Sequence, residues 1–345
     1  MTKALIAMSG GVDSSVAAFL AQQAGLDCIG TTMLLHDPHD DAADARAVAE
    51  KLHMPFQLLD ATASFKAMVM DYFVDSYRQG LTPNPCVACN RHLKFGLLLD
   101  FARELGCEYI VTGHYCRIEQ NADGRYLLRK AADPAKDQSY FLYALTQPQL
   151  QCTLFPLSGL SKEQARAIAE DNGFINARKR DSQDICFIPD GDYFAFIRQY
   201  TGQSFPCGEF LDLDGHVVGT HQNAIAYTRG QRKGLGLAMG RPVYVHSKDM
   251  THNTVTVCDD HQLFNTTLRA NDWNFIPFDS LNAPMRCMAK ARSRMTEQPA
   301  TVYPEENGFC RVVFDEPQRA ITTGQAVVLY DGDLVIGGGT ITEVL

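Results

Sequence analysis

Between Lys3 and Leu20 the chain runs from one apolar stretch through two adjacent glycines into another. No other stretch constrains the fold as much. Ala4-Leu5-Ile6-Ala7-Met8 is short and continuously apolar, as a buried strand is. Val12, Val16, Phe19 and Leu20 then recur at helical spacing. Between them, Ser9-Gly10-Gly11-Val12-Asp13-Ser14-Ser15 offers glycines for a tight turn, several hydroxyls and the uncovered N–H groups of a helix N-terminus. Such a turn is either an anion cradle or an unliganded glycine–serine turn. It lacks the Lys-Ser/Thr ending of a Walker A loop and the three-glycine spacing of a dinucleotide fingerprint.

Strand and helix patterns continue to alternate. Cys28–Leu35 and Phe56–Asp60 read as strands, and Ala42–Leu52 carries Ala45, Val48, Ala49 and Leu52 at helical spacing. Phe65, Met68, Val69, Tyr72 and Phe73 predict one buried face of a helix over 65–77. A further helix is predicted over 93–105, followed by a strand over Tyr109–His114. This is the pattern of a Rossmann-like parallel α/β sheet covered on both faces, which binds ligands beyond its carboxyl edge. Asp123-Gly124 marks a turn before a short strand at Arg125–Lys130, and Ser161–Gln164 has capping-box spacing. Beyond Tyr200 the helical signals stop. Short strands separated by Gly, Pro and Asp predict a small central unit and a C-terminal antiparallel β-barrel. The expected limits are 1–200, 201–270 and 271–345.

The formal charge of −9 argues against a non-specific polyanion binder but leaves room for local basic patches. Arg229, Arg232 and Lys233 form one, and Arg286, Lys290, Arg292 and Arg294 form another, either of which can meet phosphates or simply be solvated. No apolar run approaches the length of about 20 residues that a membrane span needs. The eleven cysteines are an odd number scattered over a long chain, which points to a reducing compartment, the cytoplasm.

Two cysteine environments stand out. Pro83-Asn84-Pro85-Cys86-Val87-Ala88-Cys89-Asn90 places a Cys-x-x-Cys at an expected helix start, where a thiolate is stabilised. A zinc site would want a second close pair, and ordinary packed thiols remain an open reading. Asp181-Ser182-Gln183-Asp184-Ile185-Cys186 follows the cations Arg178, Lys179 and Arg180, which can favour a thiolate or face a phosphate backbone. A lone histidine such as His114 can serve as a base, a cap or a base-edge contact.

Taken together, Ser9–Ser15, Thr82–Asn90, Gly113-His114-Tyr115, Lys136–Leu142, Lys179–Phe187, Thr228–Gly236 and Phe314–Ala320 resemble, in order and spacing, the bacterial tRNA-specific 2-thiouridylases. These enzymes belong to the PP-loop ATP pyrophosphatase superfamily. The resemblance spans nearly the whole chain and implies ATP-dependent replacement of oxygen by sulfur at carbon 2 of the wobble uridine in tRNAs for Lys, Glu and Gln. It implies that Cys89 is the nucleophile, that Cys186 carries a persulfide and that the two pass through a catalytic disulfide. ATP, with Mg²⁺, is expected against Ala7, Met8, Ser9, Gly10, Gly11, Val12, Asp13, Ser14, Ser15, Met33 and Gly113; no metal ligands are assigned. The tRNA or its target base is expected at Asn84, Pro85, Cys86, His114, Lys136, Asp137, Gln138, Arg292, Ser293 and Gln325. Many relatives carry tyrosine where this chain has Ser293. The implied partners are tRNA, a sulfur-relay protein or cysteine desulfurase as persulfide donor, and a cellular reductant. Another PP-loop tRNA-modifying or adenylating enzyme is the alternative, and an RNA-binding protein with a vestigial loop is a second.

Overall fold

The computed structural model describes residues 1–36, 42–179 and 185–345. Five parallel strands form the first sheet. The chain lays down β1 (Lys3–Ala7), β2 (Asp27–Leu34), β3 (Phe56–Asp60) and β4 (Tyr109–Val111). It then leaves the sheet as a hairpin, β5 (Arg117–Gln120) and β6 (Tyr126–Arg129), before returning as β7 (Thr153–Leu154). The order is β3-β2-β1-β4-β7, so consecutive connections leave β1 in opposite directions. That switch point opens a crevice at the carboxyl ends of β1 and β4. Helices cover both faces, with Val16, Ala17, Val48 and Ala49 packed on one and Phe95, Leu98 and Leu99 on the other.

Two long helices depart from regular winding. The helix over 62–78 contains a π-helical stretch, Lys66–Asp71, and the helix over 85–104 contains another, Asn90–Leu97. In the first, Phe65, Val69 and Phe73 are buried while Met68 and Tyr72 are exposed. The expected apolar face therefore holds in part, because wider winding favours a spacing of four over three. The second helix starts eight residues before the predicted Leu93, at Pro85, behind an Asn84 cap whose side chain accepts from the Val87 N–H at 3.4 Å. Proline at the first helical position suits this start, since its missing N–H has no intrahelical partner to lose.

A four-stranded sheet follows, with β8 (Gly208–Leu211), β9 (Val217–His221), β10 (Tyr244–Asp249) and β11 (Thr254–Cys258) in the order β10-β11-β8-β9. The last unit comprises β12 (Phe264–Phe275), β13 (Met285–Lys290), β14 (Gln298–Pro304), β15 (Cys310–Arg319), β16 (Ala326–Asp331) and β17 (Leu334–Val344). Pairing of β12 with β17 closes these six strands into an antiparallel barrel. Strand β12 straddles position 271. The early β5–β6 hairpin joins the barrel sheet beside β17 through Leu334 and Arg129. Ala326, Val328, Tyr330 and Val335 of the barrel share one apolar cluster with Leu5 and Leu98, so the barrel packs directly onto the first unit. Among the described residues no helix is long and apolar enough to cross a membrane.

Candidate active site

The turn after β1 is built as a cradle. Gly10 has a φ of +71°, a conformation that favours glycine. Gly11 caps the helix Val12–Gln23 without a side chain, and the hydroxyls of Ser14 and Ser15 turn back to its carbonyl at 3.0 and 3.1 Å. Buried Asn176 braces the turn from outside, donating to the Gly10 carbonyl at 3.0 Å and to Ser15 Oγ at 2.9 Å. Its Oδ1 has no partner among the described residues. Gly113, just beyond β4, presses against the same helix start. A β-carbon there would lie 2.7 Å from the Asp13 carbonyl carbon and 2.8 Å from the Ser14 nitrogen. The loop, Met33 at the end of β2 and Gly113 thus border one crevice, where a helix N-terminus favours phosphate.

Asp13 is tied in two directions. Lys162 Nζ lies 2.7 Å from its Oδ1, and the Tyr115 hydroxyl donates to the same oxygen at 2.8 Å. Tyr115 is held in turn by its own N–H, which donates to Gln138 Oε1 at 2.9 Å. Lys162 is the functional residue that sequence reasoning missed. Its signal was absorbed by the Ser161–Gln164 capping box, which does form, and nothing local to Lys162 shows that its side chain reaches a loop 149 residues away.

The second feature is a group of thiols. Cys89 is buried in an apolar cluster with Phe65, Phe73 and Phe187, whereas Cys86 and Cys186 each keep an exposed face. Phe187 packs edge-on against Phe65 and Phe73 of the 62–78 helix, at 5.6 and 5.4 Å between ring centres, and this places the Cys186 segment in the same apolar cluster as Cys89. Burial pushes the Cys186 thiol up to about 11, with Cys89 and Cys86 adding to the rise and the Lys94 ammonium opposing it. Burial also raises Cys89 and Cys86, again against Lys94. The three thiols and Lys94 therefore lie within electrostatic reach of one another. The helix start forms as expected, yet it does not leave a thiolate, because desolvation outweighs it. The cations expected to act on Cys186 are Arg178, Lys179 and Arg180. Arg180 and Asp181–Asp184 of that run lie outside the described residues.

Lys94 owes its position to the winding of its helix. Five residues of an α-helix turn through roughly 500°, which would leave Lys94 about 140° from Cys89. Five residues of π-helix turn through roughly 400°, about 40° from the start. The Asn90–Leu97 stretch therefore brings Lys94 round to the Cys89 side of the helix. All the cysteines are free thiols, so the expected disulfide between Cys89 and Cys186 is not formed in this state.

His114 Nδ1 is 2.7 Å from Thr112 Oγ1, and its ring sits between Phe95 and Phe155. Burial first, then Lys94, hold its pKa well below the ordinary value, so the imidazole is neutral. Several residues expected to meet tRNA also make hydrogen bonds within the protein. Asp137 accepts from the N–H groups of Ala131 and Ser139 and from the Ser139 hydroxyl, and Gln138 holds Tyr115. Arg292 donates to Thr322 Oγ1 and to the Arg229 carbonyl, with Ser293 beside it only partly exposed. Gln325 Nε2 donates to the carbonyls of Thr82 and Pro83 at 2.9 and 3.2 Å.

Three family models match in sequence order. One, described as the tRNA methyl transferase HUP domain, covers residues 2–190. Next come the tRNA methyl transferase PRC-barrel domain, over 194–259, and the aminomethyltransferase beta-barrel domain, over 265–341. Among curated relatives, a tRNA-specific 2-thiouridylase MnmA of Clostridioides difficile (strain 630) is 45% identical over 356 residues, covering 99% of both chains. Proteins of the same name from Clostridium acetobutylicum and Acetivibrio thermocellus are each 46% identical over 354 residues, covering 98% of this chain and 99% of theirs.

Proposed function

The chain belongs to the tRNA-specific 2-thiouridylase MnmA family, and from that premise we propose how its residues divide the work. The reaction is ATP-dependent 2-thiolation of the wobble uridine, position 34, of tRNA for Lys, Glu and Gln. The observation that carries the assignment of residues is that the segment after β4 touches both parts: Gly113 presses on the start of the cradle helix, and the next residue, His114, packs on Phe95 of the helix that bears Cys86 and Cys89. The matched family model speaks of methyl transfer, but thiols that share one unit with a phosphate cradle suit sulfur chemistry.

A uridine C2 oxygen is a poor leaving group, so it is first adenylated, with pyrophosphate released. Ala7–Ser15, Met33 and Gly113 border the nucleotide in this reading, and the helix N-terminus opposes the phosphate charge. A Mg²⁺ bound with the nucleotide would offset its phosphate charge, and Asp13 would be the loop carboxylate able to hold it. Lys162 and Tyr115 fix the direction of that carboxylate beforehand.

Cys186 accepts a sulfane sulfur from the donor, a relay protein or a cysteine desulfurase. In the direct route its terminal sulfur attacks C2, forming C–S and breaking C–O as AMP leaves, and Cys89 then attacks Cys186 Sγ, forming the Cys89–Cys186 disulfide and breaking the S–S bond that still ties Cys186 to the product. Alternatively, Cys89 attacks the Cys186 sulfur, a Cys89–Cys186 disulfide forms, and the hydrosulfide expelled attacks C2. Two electrons from a dithiol reductant then restore both thiols. The Lys94 cation opposes the burial that keeps the thiols protonated. Asn84, Pro85 and Cys86 line the pocket for the base, which must leave the anticodon stack to reach it. His114, Lys136, Asp137, Gln138, Arg292, Ser293 and Gln325 lie on the tRNA side, and the limits 1–200, 201–270 and 271–345 describe one catalytic and two tRNA-contacting units. Of the three loop residues it is Lys136 whose charge is suited to RNA phosphate.

The test is a single turnover. Persulfide-loaded enzyme, ATP–Mg²⁺ and unmodified tRNA should give one AMP per 2-thiouridine, with pyrophosphate release dependent on tRNA. Pyrophosphate release that ignores tRNA, or AMP without thiolation, would support a different adenylating enzyme.

A further inference from the structure

The barrel meets the cysteine helix through an ion pair of Arg91 with Asp272, and it meets the segment before that helix at a corner made of directional bonds. The Thr82 N–H donates to the Thr323 carbonyl at 2.9 Å, and Gln325 Nε2 bonds back to the carbonyls of Thr82 and Pro83. Between them Gly324 has a φ of +87°, and a β-carbon on it would come 2.9 Å from the Thr82 nitrogen and 3.0 Å from Leu81 Cβ. The barrel supports its own side rigidly: the Gly324 N–H donates to the Ile341 carbonyl, and the Ile341 N–H donates to that of Gln325, both at 2.8 Å. On the other side, the segment leads within two residues to Asn84, which caps the helix bearing Cys86 and Cys89. Three hydrogen bonds thus fix the entry to that helix from a domain more than 230 residues away in sequence.

The same corner adjoins the arginines. Arg292 bonds to Thr322 Oγ1, the residue before Thr323, and to the Arg229 carbonyl. The Nε atoms of Arg292 and Arg229 are buried and without partners among the described residues, as is Thr82 Oγ1. Unsatisfied buried groups on both sides of this contact leave bonding capacity that an arriving partner can take up.

We propose that the Thr322–Gln325 corner is a latch that positions the base-pocket segment Thr82–Cys86, with Gln325 as its positioning residue and RNA phosphate at Arg292 as the input that adjusts it. The inference rests on the reading of Asn84–Cys86 as the base pocket, and it gives Gln325 a role before any tRNA arrives.

That role is tested on the full-length enzyme without tRNA, by amide exchange over 81–90 and by the rate of iodoacetamide modification of Cys86 and Cys89. Losing two hydrogen bonds in Gln325→Ala should speed both locally by roughly fivefold to thirtyfold, while peptides of β1 and β2 stay unchanged. Gln325→Glu keeps the size but turns a carboxylate on two carbonyls, so it should open the segment at least as much. In turnover, both variants should lose more in kcat than in tRNA KM. Wild-type exchange and alkylation in both variants, with a raised tRNA KM alone, would overturn the latch and leave Gln325 a simple tRNA contact. A wild-type-like Glu variant beside an open Ala variant, or a rise spread over the whole chain, would also overturn it. These readouts need no thiolation, so they stand apart from any failure of the assigned reaction.

Discussion

Replacing Lys162 with methionine keeps most of the side-chain stem and removes the charge that meets Asp13. The lysine side chain is 8% exposed, that of Asp13 is 30% exposed, and their charged atoms are 2.7 Å apart. Removing one partner of a fully buried pair costs roughly 3–5 kcal/mol, mainly because the other charge is stranded. Here Asp13 is partly open to water and keeps the Tyr115 hydroxyl, so about 2 kcal/mol is expected. Asp13→Asn should lose the same pairing, and in the double variant the two losses should overlap, with a coupling of about 1–2 kcal/mol. Denaturant midpoints of the four proteins measure it, and ATP KM in the thiolation assay should rise about tenfold in Lys162→Met with tRNA KM unchanged. Losses that add to within about 0.3 kcal/mol, or an ATP KM that does not move, would refute the claim that this pair holds the loop ready for phosphate.

Gly113→Ala would force a methyl into the backbone of Asp13 and Ser14. A loss of about 1–3 kcal/mol in stability is expected, together with impaired ATP use, checked by thermal unfolding and ATP KM. Alkylation of Cys186 in the resting enzyme should rise with pH toward a midpoint of about 11, and Lys94→Met should move that midpoint higher, since the opposing ammonium is gone. Because this folded-state value exceeds the ordinary thiol value of 9.0, the associated stability is complete below about pH 9 and declines as pH climbs toward 11. Denaturation midpoints across that range would check the sign.

The first unit was legible because its strands are short apolar runs and its loop signals are local. Cys86 and Cys89 were correctly set at a helix start, since Asn84-Pro85 is a cap and first-turn pair. The π-helical windings were not legible: no residue type announces them, yet they decide that Met68 and Tyr72 face outward and that Lys94 turns toward the Cys89 side. The β5–β6 hairpin carried its own turn signal, but its docking on β17 depends on residues some 200 positions later. Lys162, Asn176 and the bonds of Gln325 are missing from a sequence reading for the same reason. Each is a long-range contact made by a residue whose neighbours already explain its presence locally. The upward push on the Cys89 thiol was not legible, because helix termini and nearby cations can be read along the chain, whereas burial among Phe65, Phe73 and Phe187 cannot.

The central claim is that two of the three clustered cysteines carry the sulfur chemistry and the third only shapes the pocket. Mass spectrometry of 2-thiouridine at position 34, in tRNA from cells whose only copy of the enzyme is Cys89→Ser, Cys186→Ser or Cys86→Ser, tests it most directly. The account predicts loss of the modified nucleoside in the first two and its substantial retention in the third. Retention in either of the first two, or its loss in a Cys86→Ser protein that folds and binds tRNA normally, would contradict it.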